Sequence, residues 1–104
     1  MALQDINCDI PENIVVNIRQ IGERLSIDRM IVFGSRARGD NGTRSDIDLA
    51  IRAKDSKEFF DLKDSLEGID TLLSFDLVDL NSDSISKALI DEIERDGVVI
   101  YEKI

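Results

Sequence analysis

Two apolar segments that read as strands flank a stretch no regular element can occupy, and this arrangement fixes most of what the chain can become. Met30 to Phe33 is a short apolar run stopped by Gly34, and its length and β-branched content favour a buried strand over a helix. Asp46 to Ala53 alternates, with Ile47, Leu49 and Ile51 on one face and Asp46, Asp48 and Ala50 on the other, as a strand requires. Between them GSRARGDNGTRS holds three glycines and several side chains that cap or turn. A short helix from Ser35 followed by a loop is expected there.

The flanking segments read more simply. Pro11 suits a first helical position, and Ile14, Ile18, Ile21 and Leu25 recur at helical spacing. Ser56 is expected to cap a helix with Phe59, Leu62, Leu66 and Ile69 on one stripe, and Ser74 to Leu80 reads as a third strand. Asp83 or Ser84 is expected to cap a last helix with Ile85, Ala88, Leu89 and Ile93 inward, closed by Gly97 as a left-handed residue before a strand over Val98 to Tyr101. The order α-β-(short α)-β-α-β-α-β predicts an α/β (α+β) fold: a small mixed sheet with helices mainly on one face, leaving the other for chemistry.

At 104 residues the chain has room for one domain, residues 1–104. A net charge of −9 repels polyanions, so direct nucleic-acid binding is not expected. The sequence contains no histidine, which excludes Ser-His-Asp and Cys-His catalysis and any His general base; chemistry must rest on carboxylates or metals. One cysteine, Cys8, makes no internal disulfide. Residues 1–9 lack basic and apolar targeting regions and no apolar run approaches a membrane span, so a cytoplasmic location without membrane contact is expected.

Asp46 and Asp48 share one face of a strand, with Cα atoms about 6.5 Å apart by strand rise. Two carboxylates so placed repel each other unless a cation lies between them, and Mg²⁺ binds through carboxylates and substrate phosphates. Taken alone, a D-x-D pair is as readily two solvated aspartates. Upstream, Gly34 lets a ligand approach the backbone, and the helix start at Ser35 offers N–H donors suited to phosphate. Arg36, Arg38, Arg44 and Arg52 concentrate positive charge in and beside this segment of an otherwise acidic chain. The segment is neither a Walker A loop nor an EF-hand.

Gly34-Ser35, ten intervening residues and then Asp46-Ile47-Asp48 resembles the signature of the DNA polymerase β-like nucleotidyltransferase superfamily, most closely its minimal nucleotidyltransferase (MNT) branch. Gly34, Ser35, Ala37, Arg38, Gly39, Ser45, Asp46, Asp48 and Leu49 fall where that motif puts them, and the resemblance extends through Phe75–Leu80 and Asp96–Glu102. It implies transfer of a nucleoside monophosphate from a triphosphate such as ATP to a hydroxyl, with Mg²⁺ held by Asp46, Asp48 and a third carboxylate. Asp76 and Asp79 are the candidates for the third, and alternation sends them to opposite faces. The family pattern favours Asp76, whose mid-strand position would make an uncompensated charge costly if buried. Gly34, Ser35, Arg38 and Ser45 are the implied nucleotide-binding residues. The resemblance further implies a separate HEPN protein encoded nearby, a ribonuclease toxin whose tyrosine hydroxyl accepts AMP, which would make this chain an antitoxin. A masking antitoxin without chemistry and a transferase acting on a small molecule are the alternatives.

Overall fold

The computed structural model describes residues 8–104; the N-terminal stretch read above for targeting signals lies largely outside them. The elements follow the expected order: α1 (Glu12–Leu25), β1 (Arg29–Phe33), α2 (Ser35–Arg38), β2 (Ile47–Arg52), α3 (Ser56–Glu67), β3 (Phe75–Asp79), α4 (Lys87–Asp96) and β4 (Val98–Glu102). The strands form one mixed sheet in the order β3-β2-β1-β4. β1 pairs antiparallel with β2 and β4, and β2 pairs parallel with β3. A parallel pair needs a crossover connection, and α3 supplies it.

Alternation sorts the strand residues between two cores. Met30, Val32, Ile47, Leu49 and Ile51 pack against Ile14, Ile18 and Ile21 of α1 and Leu62 and Leu66 of α3. On the opposite face Phe33 and Ala50 form a smaller cluster with Ile93 of α4, joined by Ile31, Val78 and Leu89. The face expected to be free for chemistry is therefore part covered by α4, while α1 and α3 share the other. Among the described residues no helix is long and apolar enough to cross a membrane.

Several local expectations need correction. Pro11 is the N-cap of α1 instead of its first residue, and Asp55, not Ser56, caps α3 by accepting the Glu58 N–H at 2.9 Å. α4 starts later than expected because the Ser86 hydroxyl accepts the Leu89 N–H, which leaves Ile85 before the helix and Ala88 exposed. Gly97 is not left-handed but extended, at φ −63° and ψ 139°. Its glycine is required by space: a Cβ there would lie 2.3 Å from the Ile93 carbonyl oxygen and 2.7 Å from Ile31 Cγ2.

Candidate active site

The sheet brings the predicted carboxylates together by register. Asp48 stands opposite Asp76 across the parallel β2–β3 pair, and the two strands are about 4.8 Å apart, so both side chains leave the same face as Ala50 and Val78. Asp46, immediately before β2, joins them closely enough to act on the Asp48 carboxyl. Asp79 stands opposite Ile51, on the face of α1 and α3, where its Oδ1 accepts the Asn81 N–H at 2.9 Å. The assignment of faces in β3 therefore holds. The burial expected of Asp76 does not, because β3 is an edge strand and leaves it exposed.

Gly34 explains how Asp48 is accommodated. Its backbone sits at φ 73° and ψ −155°, a region almost confined to glycine. A Cβ at this position would be 2.2 Å from Asp48 Oδ2. The carboxylate thus rests against the bare Cα at the turn from β1 into α2. Burial pushes the Asp48 carboxyl up to about 6, with help from the charges of Asp76, Asp46 and Glu92, and from a hydrogen bond that protonated Asp48 donates to Asp76.

Beside the carboxylates, the first turn of α2 presents the amides of Ser35, Arg36 and Ala37, which precede the helix's first backbone hydrogen bond, from the Arg38 N–H to the Gly34 carbonyl. The helix ends at Gly39 in the left-handed conformation, φ 84°. Ser45 closes the following loop: its hydroxyl accepts the Gly42 N–H at 2.9 Å and its carbonyl accepts from Arg36 Nε at 3.0 Å. The predicted binding residues Gly34, Ser35 and Arg38 line up along one turn, whereas Ser45 spends its side chain on the loop.

The four arginines read as one positive cluster are dispersed. Arg36 is 3% exposed and bonded to backbone carbonyls. Arg52 lies at the far end of β2, donating to Asn81 Oδ1. Arg38 stands among acids: its Nε donates to Asp40 at 3.1 Å, and its Nη1 is 3.6 Å from both Glu92 and Asp96 of α4, the latter also bonded by Arg95 at 2.9 Å. Glu92 and Asp96 were missed from sequence. Their spacing of four on a helix was the available signal, since it stacks both on one flank of the Ile93 stripe, but nothing in the sequence said which face of the sheet α4 covers.

A hard divalent cation fits this donor set. The Asp48 oxygen occupies a cradle that only glycine allows, and three like charges press on it, which is the situation a cation relieves. Among the described residues no group of three or more carboxylates is arranged to hold a metal ion by itself. Ligands from substrate or water would complete the shell, as is usual for Mg²⁺. A cavity of about 360 Å³ on the same face, lined by Ile31, Leu80, Ile90 and Ile93 with Arg29 and Arg52, lies at the opposite end of β1 and β2 and contains none of these carboxylates. That cavity and the carboxylate cluster are separate features of the face.

The family described as polymerase beta, nucleotidyltransferase matches residues 16–104. No curated protein matches the chain. Among solved structures, the chain is similar to one from a toxin–antitoxin complex with AMP-PNP, at 25% identity and a TM-score of 0.64, covering 90% of this chain and 75% of that one. It is also similar to a chain of the complex between the tri-AMPylated HEPN toxin and the MNT antitoxin of Shewanella oneidensis, at 22% identity and a TM-score of 0.60, covering 88% and 72%. A chain of an MntA–HepT toxin–antitoxin structure matches at 22% identity and a TM-score of 0.61, covering 89% and 74%. These last two similarities speak for the fold alone.

Proposed function

Because this chain belongs to the polymerase β nucleotidyltransferase family and is a nucleotidyltransferase, we propose that it is of the minimal type and transfers AMP from ATP to a hydroxyl, that of a tyrosine of a HEPN toxin partner. The observation that carries this reading is the Asp48–Asp76 register, which sets two carboxylates of separate strands side by side next to the glycine turn and Asp46. The partner is supported by similarity to structures of toxin–antitoxin complexes, one of which contains an AMPylated HEPN toxin.

In this reading the Ser35 hydroxyl and the amides of Ser35, Arg36 and Ala37 hold the outer phosphates, where unpaired N–H groups favour oxyanions. Arg38, hydrogen-bonded to Asp40 and within 3.6 Å of Glu92 and Asp96, adds positive charge beside them. Asp46, Asp48 and Asp76 would hold Mg²⁺, which when bound offsets phosphate charge and acidifies the acceptor hydroxyl. Asp76, exposed at the edge strand, is open to an acceptor and takes its proton. The acceptor oxygen then bonds to the α-phosphorus as the bond to the β-phosphate oxygen breaks and pyrophosphate leaves. With no histidine in the chain, a carboxylate is the available base.

The test is co-expression with the product of the adjacent reading frame, followed by intact mass of that product. Added AMP masses are expected with the parent. Asp48→Asn and Asp76→Asn should abolish them, and Asp79→Asn, on the other face, should change the rate less than about threefold. A tight complex without added mass would replace this reading with masking, and adenylylation of a small molecule only would reassign the acceptor.

A further inference from the structure

The buried guanidinium of Arg36 does nothing in the transfer reaction as described, yet it is the one charged side chain buried among the described residues. Its three nitrogens fan onto three backbone carbonyls: Nε to Ser45 at 3.0 Å, Nη2 to Thr43 at 3.2 Å and Nη1 to Asp9 at 2.7 Å. The Asp9 N–H returns a bond to the Arg36 carbonyl at 2.9 Å. Asn41 Nδ2 adds a bond to the Asp9 carboxylate at 2.9 Å. One side chain thereby joins the strap before α1, the helix α2 and the loop that leads into β2.

Burying a charge is costly unless hydrogen bonds replace its water, and Arg36 meets that demand with carbonyls. A neutral apolar residue would fill the space without that cost, so a buried cation here points to what it ties. The tied groups matter because Ser45 directly precedes Asp46, and Asp46 has no strand partner of its own: β2 begins at Ile47. Asp48 and Asp76 are placed by the ladder, whereas Asp46 hangs from the loop. Resting on the nucleotidyltransferase reading above, we infer that Arg36 is a positioning residue that fixes the Thr43–Ser45 backbone and through it sets the Asp46 carboxylate against Asp48. Planar fork geometry is essential to this role, since a lysine ammonium at the same depth reaches fewer of three divergent carbonyls.

The experiment compares the parent with Arg36→Lys and with Arg36→Gln, which keeps an amide donor without burying an unpaired ammonium. Amide hydrogen exchange of residues 43–46, melting temperature, and binding of Mn²⁺ with a non-hydrolysable ATP analogue are measured on each full chain. The expected result is exchange about tenfold faster in that loop only and Mn²⁺–nucleotide affinity weakened about tenfold. Exchange protection in the loop equal to the parent's would overturn the inference. So would a loosened loop that leaves Mn²⁺–nucleotide affinity unchanged, because Arg36 would then stabilise without positioning. If the parent itself binds neither Mn²⁺ nor nucleotide, it is the transferase reading that falls, and the exchange data still decide whether Arg36 holds the loop. Should Arg36→Lys fail to fold, Arg36→Gln carries the same comparison.

Discussion

A methyl group on Gly34 would enter the Asp48 carboxylate at 2.2 Å and force a φ of 73° on a residue with a side chain. Gly34→Ala should therefore lose stability by about 2 kcal/mol or more, from the glycine-only backbone and the displaced carboxylate together. Denaturant melts would check the loss, and transfer should fall further than the unfolded fraction explains. Asp48 yields a pH-dependent prediction. Its folded carboxyl titrates near 6, above its ordinary 3.8, so the protonated form is favoured by folding. Relative to that form the ionised carboxylate costs stability, a cost absent below pH 4 and fully present above about pH 6. Asp48→Asn removes it. At pH 7 in chelator the variant should be more stable than the parent by about 1 kcal/mol, a figure reduced from the full shift because the group is partly solvated. The gap should close as pH falls to 4, and equal stabilities at both pH values would contradict it. A two-residue period was enough to set Asp46 and Asp48 on one face and to send Asp76 and Asp79 to opposite faces, whereas the preference for Asp76 came from the family resemblance; the register that stands Asp76 beside Asp48 is a long-range pairing that no local pattern shows. Glu92 was not legible, because facing across from another element depends on packing that no local pattern encodes.

The elements were legible where apolar spacing is strong, as in α1, and least so where several residues compete for one role. Before α4, Asp83, Ser84 and Ser86 all have side chains able to cap; the winner is the one that lets Leu89 and Ile93 reach the sheet. Ser86→Ala should cost about 1 kcal/mol. The same change at Ser84 should cost less than half as much, and comparing the two melts tests the cap. Gly97 was recognised as the end of α4 for a reason the structure replaces. Its φ is ordinary, and what excludes a side chain is the turn back onto Ile31, where helix and sheet nearly touch. Gly97→Ala is expected to lower the melting temperature by an amount equivalent to about 1–3 kcal/mol. Because α4 carries Glu92 and Asp96 to Arg38, loosening that turn should also weaken nucleotide binding.

Taken whole, the molecule carries nine more negative than positive charges, and several of its acids gather on one end of one sheet face. Both facts predict a response to cations, and they separate by specificity: general screening needs only ionic strength, whereas a carboxylate site needs the right ion. Mg²⁺ at ten times its dissociation constant should raise stability by about 1.4 kcal/mol, a shift of about 6–11 °C for a chain of about 100 residues. NaCl at matched ionic strength should give less, and Asp48→Asn should lose the difference. If the two salts act alike, the charge is only diffuse. The parallel pairing of β2 with β3 has a consequence in time as well as in space. Hairpin-like antiparallel contacts form early at small entropic cost, but the β2–β3 ladder cannot close until α3 has been threaded across the sheet. Asp48 and Asp76 therefore meet in one of the slow steps of folding. A chain with β3 unpaired owns all three carboxylates yet has not set them side by side, so their meeting reports that the crossover through α3 is in place.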